Sequence, residues 1–189
     1  GLVALMLLHD SRRDARLDES GDLVVLEEQD RTLWNQDFIQ EALPLVAEAL
    51  QGEPGQFSIE AAISAEHCKA SRPEYTNWLQ IVRFYNMLEQ LTGSPIVVLN
   101  RAVAVAMSDG PEPALQIIDS LAASGDLDEY HLLHAARADL LRRMGSMSES
   151  AKSYRRALEL VTNESERRFL VRRLSEVTED FVTEKSDPA

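Results

Sequence analysis

The chain has 189 residues, enough for one large domain or two small ones, and 44% of them are hydrophobic, an ordinary globular share. With 8 Gly, 7 Pro and 6% aromatics it is too poor in turn formers for an architecture of many short strands, and its Ala and Leu favour helices. A net charge of −13 disfavours direct nucleic-acid binding, which rests on Lys and Arg neutralising phosphates.

Leu2 to Leu8 is apolar but short, with no basic segment before it and no small-residue cleavage site, so it does not read as a signal peptide. No stretch reaches the ~20 apolar residues that span a bilayer. A start at Gly1 inside an apolar helical pattern reads as a fragment whose first helix is truncated. His9-Asp10-Ser11 and the basic Arg12, Arg13 and Arg16 close that helix. Arg16-Leu17-Asp18 and Leu23 to Leu26 flank the polar turn Glu19-Ser20-Gly21-Asp22, which predicts a small β-hairpin. From Asp18 to Asp30 there are six acids and no base.

Apolar residues at 38, 39, 42, 43, 46, 49 and 50 form a helical stripe, in which Pro44 predicts a kink or a break. Glu53-Pro54-Gly55 marks a loop and a boundary. Helical patterns then follow over 57–70, 78–91, 95–107, 114–123, 130–144, 149–161 and 164–177, with Pro95 at a favoured first-turn position. Asp109 with Glu112, Ser146 with Glu149 and Asn163 with Glu166 have the spacing of capping boxes. The single Cys68 excludes a disulfide within the chain and fits a reducing compartment and a buried, inert thiol.

Two helical hairpins superpose at an offset of 36 residues. Arg101-Ala102 falls on Arg137-Ala138, Met107 on Arg143, Ala114 on Ser150, Ile118 on Tyr154 and Leu121 on Ala157. Met144-Gly145-Ser146 through Tyr154, Ala157 and Leu158 reads like the second half of a tetratricopeptide repeat, where Gly ends one helix and small residues alternate with an aromatic in the next. Each hairpin of such a repeat buries its apolar face by stacking on its neighbours. The expected fold is all-α, with stacked antiparallel, tetratricopeptide-like hairpins and one small N-terminal β-hairpin. The expected organisation is an adaptor over 1–52, the helical repeat over 53–177 and a polar tail over 178–189. An irregular helical bundle is the plainer alternative.

Four stretches carry a wider resemblance: residues 5–13 (LMLLHDSRR), 28–34 (EQDRTLW), 99–106 (LNRAVAVA) and 131–143 (HLLHAARADLLRR). In this order and spacing they resemble the C-terminal extension of bacterial extracytoplasmic-function (ECF) sigma factors that carry a tetratricopeptide-like domain. Residues 163–170 look like that family's closing helix. The resemblance implies a cytoplasmic regulatory module that modulates transcription initiation. Its implied partners are the sigma-factor N-terminal regions in the same chain and RNA polymerase, without direct DNA binding by this region and without a membrane. A free-standing repeat scaffold that binds an extended peptide is the competing reading.

The candidate protein-contact residues are His9, Asp10, Arg12, Arg13, Asp30, Arg31, Trp34, Asn100, Arg101 and Arg137. His9 with the arginines suits either the negative end of a helix dipole or a polar contact surface. Asp30 suits a helix cap and Trp34 a partly buried anchor, or, if exposed beside Arg31, an interaction hot spot. Asn100, Arg101 and Arg137 interrupt apolar helices and need partners, either between stacked hairpins or in a ligand groove. Arg155, Arg156, Arg167, Arg168, Arg172 and Arg173 read as a solvated face or a basic strip, with Glu164 and Arg168 spaced as a helical ion pair. His131 and His134, or His67 with Cys68, fall short of the three or four ligands of a zinc site. No serine-hydrolase, phosphate-loop, dinucleotide or zinc-protease motif is present, so no enzyme, cofactor or metal is expected.

Overall fold

The computed structural model describes residues 1–184, with side chains up to Thr178. The described chain is all-helical: α1 (Leu2–Asp10), α2 (Gln36–Ala49), α3 (Gln56–Lys69), α4 (Trp78–Thr92), α5 (Pro95–Ser108), α6 (Pro111–Ser124), α7 (His131–Arg143), α8 (Met147–Leu160) and α9 (Glu164–Glu184). Short 3-10 turns occur at Arg13–Ala15, Arg31–Leu33 and Pro73–Tyr75. No described helix is long and apolar enough to cross a membrane.

The predicted β-hairpin does not form. Its place holds one antiparallel bridge between Leu17 and Leu23, with Asp18 N donating to Asp22 O at 3.0 Å and Val24 N to Arg16 O at 2.9 Å. Asp18 Oδ1 accepts from the amides of Ser20 and Asp22, both at 2.9 Å, which tightens the turn. A lone two-stranded ribbon is marginal without a covering layer, and Leu17 is 52% exposed. The chain instead turns again at Glu28, whose amide donates to Val25 O. Pro44 does not break its helix either. It lies inside α2, and both it and Gln40, the residue whose carbonyl loses its donor, are exposed, so water can satisfy that group.

The chain divides into two compact units, Gly1–Val97 and the residues from Val98 onward. In the first, α1 packs on α2 and α3, and α3 packs on α2 and α4. The centre of this arrangement is α3, where Ala61, Ala62, Ile63, Ser64 and Ala65 are consecutively buried. Its small residues let three helices approach on different sides, so it shows no single apolar stripe.

In the second unit, α6, α7, α8 and α9 pack in succession. Ala138, Ala151, Tyr154, Ala157, Val161, Leu170 and Val177 form a common core. Buried Ser150 donates its hydroxyl to Ala138 O at 2.8 Å, joining α8 to the α7 backbone without an unpaired polar group. Of the three capping boxes, Asn163 alone caps through its side chain, accepting from Ser165 N at 2.9 Å and Glu166 N at 3.2 Å. α8 and α6 begin at Ser146 and Gly110 without a side-chain cap. Asp109 instead accepts from the Ser108 hydroxyl at 2.6 Å.

The α7–α8 corner depends on Gly145, at φ +76°. Ser146 N donates to Leu141 O at 2.8 Å and Gly145 N to Arg142 O at 3.0 Å, the paired bonds of a Schellman ending. Nothing lies within 4 Å of a Cβ added there, so the need for glycine comes from the backbone alone. Gly145→Ala is expected to destabilise the chain by about 1–2 kcal/mol in urea unfolding, and Gly145→Asn by less; an unchanged midpoint for Gly145→Ala would remove this role.

Candidate functional site

Three short segments converge in the first unit. α1 ends at Ser11, whose hydroxyl donates to Leu8 O at 2.8 Å, and whose carbonyl accepts from Asn35 N at 2.8 Å. Asn35 in turn caps α2, accepting from Phe38 N at 3.1 Å. Asp30 caps the 3-10 turn before it, accepting from Thr32 N at 2.9 Å and the Thr32 hydroxyl at 2.7 Å; these bonds, the hydroxyl's first, hold its carboxyl below the usual range. The turn delivers Trp34, 3% exposed, into a small core of Ala15 and Ile39, with Leu26, Leu43 and Cys68 against it.

Two arginines lie against that indole. Arg31 is 4.6 Å and Arg12 5.8 Å from the ring centroid, both within cation–π range. Arg31 Nη1 also donates to His67 O and Ala70 O, each at 2.6 Å, satisfying carbonyls at the end of α3 that the helix leaves open. Burial pulls the Arg12 and Arg31 guanidiniums below their ordinary pKa. His67, buried, meets the Trp78 ring edge-on at 5.2 Å. Cys68 is half-buried, and burial raises its thiol pKa, with Arg12 pulling the other way. The site is an aromatic post flanked by cations, with a neutral imidazole and thiol behind it.

The other predicted residues are placed as follows. His9 is exposed, and its carbonyl accepts from Arg16 Nη2 at 2.7 Å. Asp10 pairs with exposed Arg13, a surface pair worth about 0–1 kcal/mol. Asn100 is exposed and Arg101 half-buried on α5. Arg137 donates from Nε to Asp119 Oδ1 at 2.7 Å and from Nη1 to Ser153 Oγ at 3.1 Å, tying α7 to α6 and α8. His131 Nε2 is 3.0 Å from Glu166 Oε2, and His134 Nε2 is 2.8 Å from Asp128 O. Among the described residues, no three His, Cys, Asp or Glu side chains converge as a metal site would require. Glu164 reaches Arg167 at 3.8 Å, three residues on.

Sequence reasoning overlooked three participants. Asn35 was legible, as a capping residue just before an apolar stripe. Trp78 and the neutral state of His67 were not, because both depend on α3 meeting α4 and on arginines more than thirty residues away.

Burial first, then Arg12 and Arg31, depress the His67 pKa from 6.5 to about 4. The folded chain thus holds the neutral imidazole, while the unfolded chain takes a proton between these values. That contribution to stability is full above pH 6.5 and is lost as pH falls toward 4. Between pH 7.5 and 5 the chain is expected to lose about 2 kcal/mol more unfolding free energy than His67→Gln does. Equal losses in urea titrations of the two proteins would refute this.

Residues 1–50, which hold α1, the turns and α2, match the family of unknown function DUF6596. The chain is also similar to an uncharacterized protein of Rhizobium meliloti (strain 1021), 42% identical over 184 residues. The match covers 97% of this chain and 43% of that protein, so the chain spans less than half the length of its relative. No solved structure matches the chain.

Proposed function

We propose that this chain is a regulatory protein-interaction region of an ECF sigma factor, a tetratricopeptide-like stack of antiparallel hairpins that performs no catalytic step. It acts in the cytoplasm on the sigma-factor N-terminal regions of the same polypeptide and on RNA polymerase. The observation that carries the reading is that the four stretches behind the resemblance meet two by two. Residues 5–13 and 28–34 join through Ser11 O, within the first stretch, and Asn35 N, one residue past the second, and through Arg12 and Arg31 at Trp34. Residues 99–106 and 131–143 join where Arg143 Nη2 donates to Ala106 O at 2.9 Å.

The repeat reading gains support from the same corner. Met107 and Arg143 are equivalent positions at the 36-residue offset, and Arg143 Nη1 lies 3.7 Å from Met107 Sδ. Equivalent helices of successive repeats are neighbours in a solenoid, because each repeat covers the apolar face of the last. The length of the Rhizobium meliloti relative leaves room for further regions beside the matched one. The net charge of −13 supports leaving any promoter contact to such regions.

A free-standing peptide-binding scaffold is less favoured. Arg137, a cation such a groove would use, already holds Asp119 and Ser153. The test is a transcription reporter driven by the longer polypeptide with and without residues 1–177. Removal is expected to change output several-fold at constant protein level; unchanged output would sink the reading.

A further inference from the structure

Arg12 stands out for what it lacks. The chain has 32 acidic residues against 19 basic ones, so an arginine here does not want for carboxylates. Six acids lie between Asp18 and Asp30, within the same sequence neighbourhood. Yet among the described residues none pairs with Arg12, which is half-buried and whose buried Nε has no hydrogen-bond partner. Its nearest ionisable neighbours are Cys68, whose thiol burial keeps uncharged at neutral pH, and the cations Arg16 and Arg31, which repel it. Arg31 Nε and Trp34 Nε1 are buried and unpartnered as well. Half-burying an unpaired guanidinium costs stability, and that cost is offset when an anion completes the site.

We propose that Arg12 and Arg31, set against Trp34, form a receptor for a carboxylate side chain on an acidic protein segment that docks on this region. The inference rests on the regulatory reading only in taking the partner to be protein. A planar guanidinium fork matches a carboxylate with two parallel hydrogen bonds. Arg31 is fixed by its two bonds to the α3 carbonyls, and both guanidiniums lie within 6 Å of one rigid indole, so little ordering remains to be done on docking. A nucleic acid is the poorer occupant. The indole is buried and offers no face on which a base could stack.

The chain has two tryptophans, so Trp78→Phe leaves Trp34 as a single reporter beside the site. In that background, a capped peptide alternating glutamate pairs with leucine is titrated against Trp34 emission. A saturable change is expected, weakened at least tenfold by Arg12→Gln and less by Arg12→Lys, with no response to the glutamine version of the peptide. The thermal midpoint of Arg12→Gln is expected to match or exceed that of the parent, since the burial of a guanidinium without a carboxylate or carbonyl partner outweighs its contact with the Trp34 ring at 5.8 Å. A lowered midpoint would make Arg12 a structural residue and overturn the proposal. So would silence toward the acidic peptide, or an equal response to inorganic phosphate or to oligodeoxythymidylate. Peptide binding without any effect of residues 1–177 in the reporter would sink the transcriptional reading and leave this site standing.

Discussion

A helix that ends inside a folded chain leaves its last carbonyl groups without intrahelical donors, at the negative end of the helix dipole. In this chain, arginines supplied by later segments answer that need. Arg16 donates to His9 O at the end of α1, and Arg31 to His67 O and Ala70 O at the end of α3. Arg143 reaches Ala106 O in the last turn of α5, and Arg167 reaches Leu158 O and Val161 O at the end of α8. Each bond is charge-assisted, and each also fixes where the next segment passes the helix it closes. Short helices joined by tight corners can then pack in succession, because the corner carbonyls are satisfied by side chains instead of by longer loops.

This device explains why the aromatic site sits where it does. Arg31 can lie beside Trp34 only because the end of α3 holds its guanidinium in place. The turn at Asp30 aims both residues, and the Asn35–Ser11 bond brings the end of α1 alongside. Buried small residues on α3 give α1 and α4 the room to converge, which places Trp78 against His67 and excludes water from the imidazole. The neutral histidine is thus a consequence of helix packing and of two nearby cations, and not of any local sequence signal.

What was legible follows the range of the interactions. The helices, the glycine ending at 145 and the cap at Asn163 are written within a few residues, where periodicity and cap chemistry act. The hairpin failed because a turn signal is local while a strand needs a covering layer, and Leu17 has none. The break at Pro44 failed because its cost depends on whether the deprived carbonyl can reach water. The interruption of an apolar helix by Arg137 shows in the sequence, but its partners Asp119 and Ser153 do not, since they lie on neighbouring helices. The arginine-to-carbonyl bonds of Arg31 and Arg143 join residues 36 to 39 apart, and no local pattern encodes them.

The same residue type therefore serves in three distinct ways. Arg13 meets Asp10 in solvent, where screening leaves little net energy. Arg31, Arg143 and Arg167 meet carbonyls at helix ends, where the partner is a fixed dipole and the geometry is shared with the fold. Arg12 meets neither a carboxylate nor a carbonyl, although it is half-buried in a chain with a large excess of acids. Selection for stability alone favours a neutral side chain at such a position. A half-buried cation without such a partner is what a docking carboxylate would complete, and the stretch that carries it lies within the 50 residues that match a family model of unknown function.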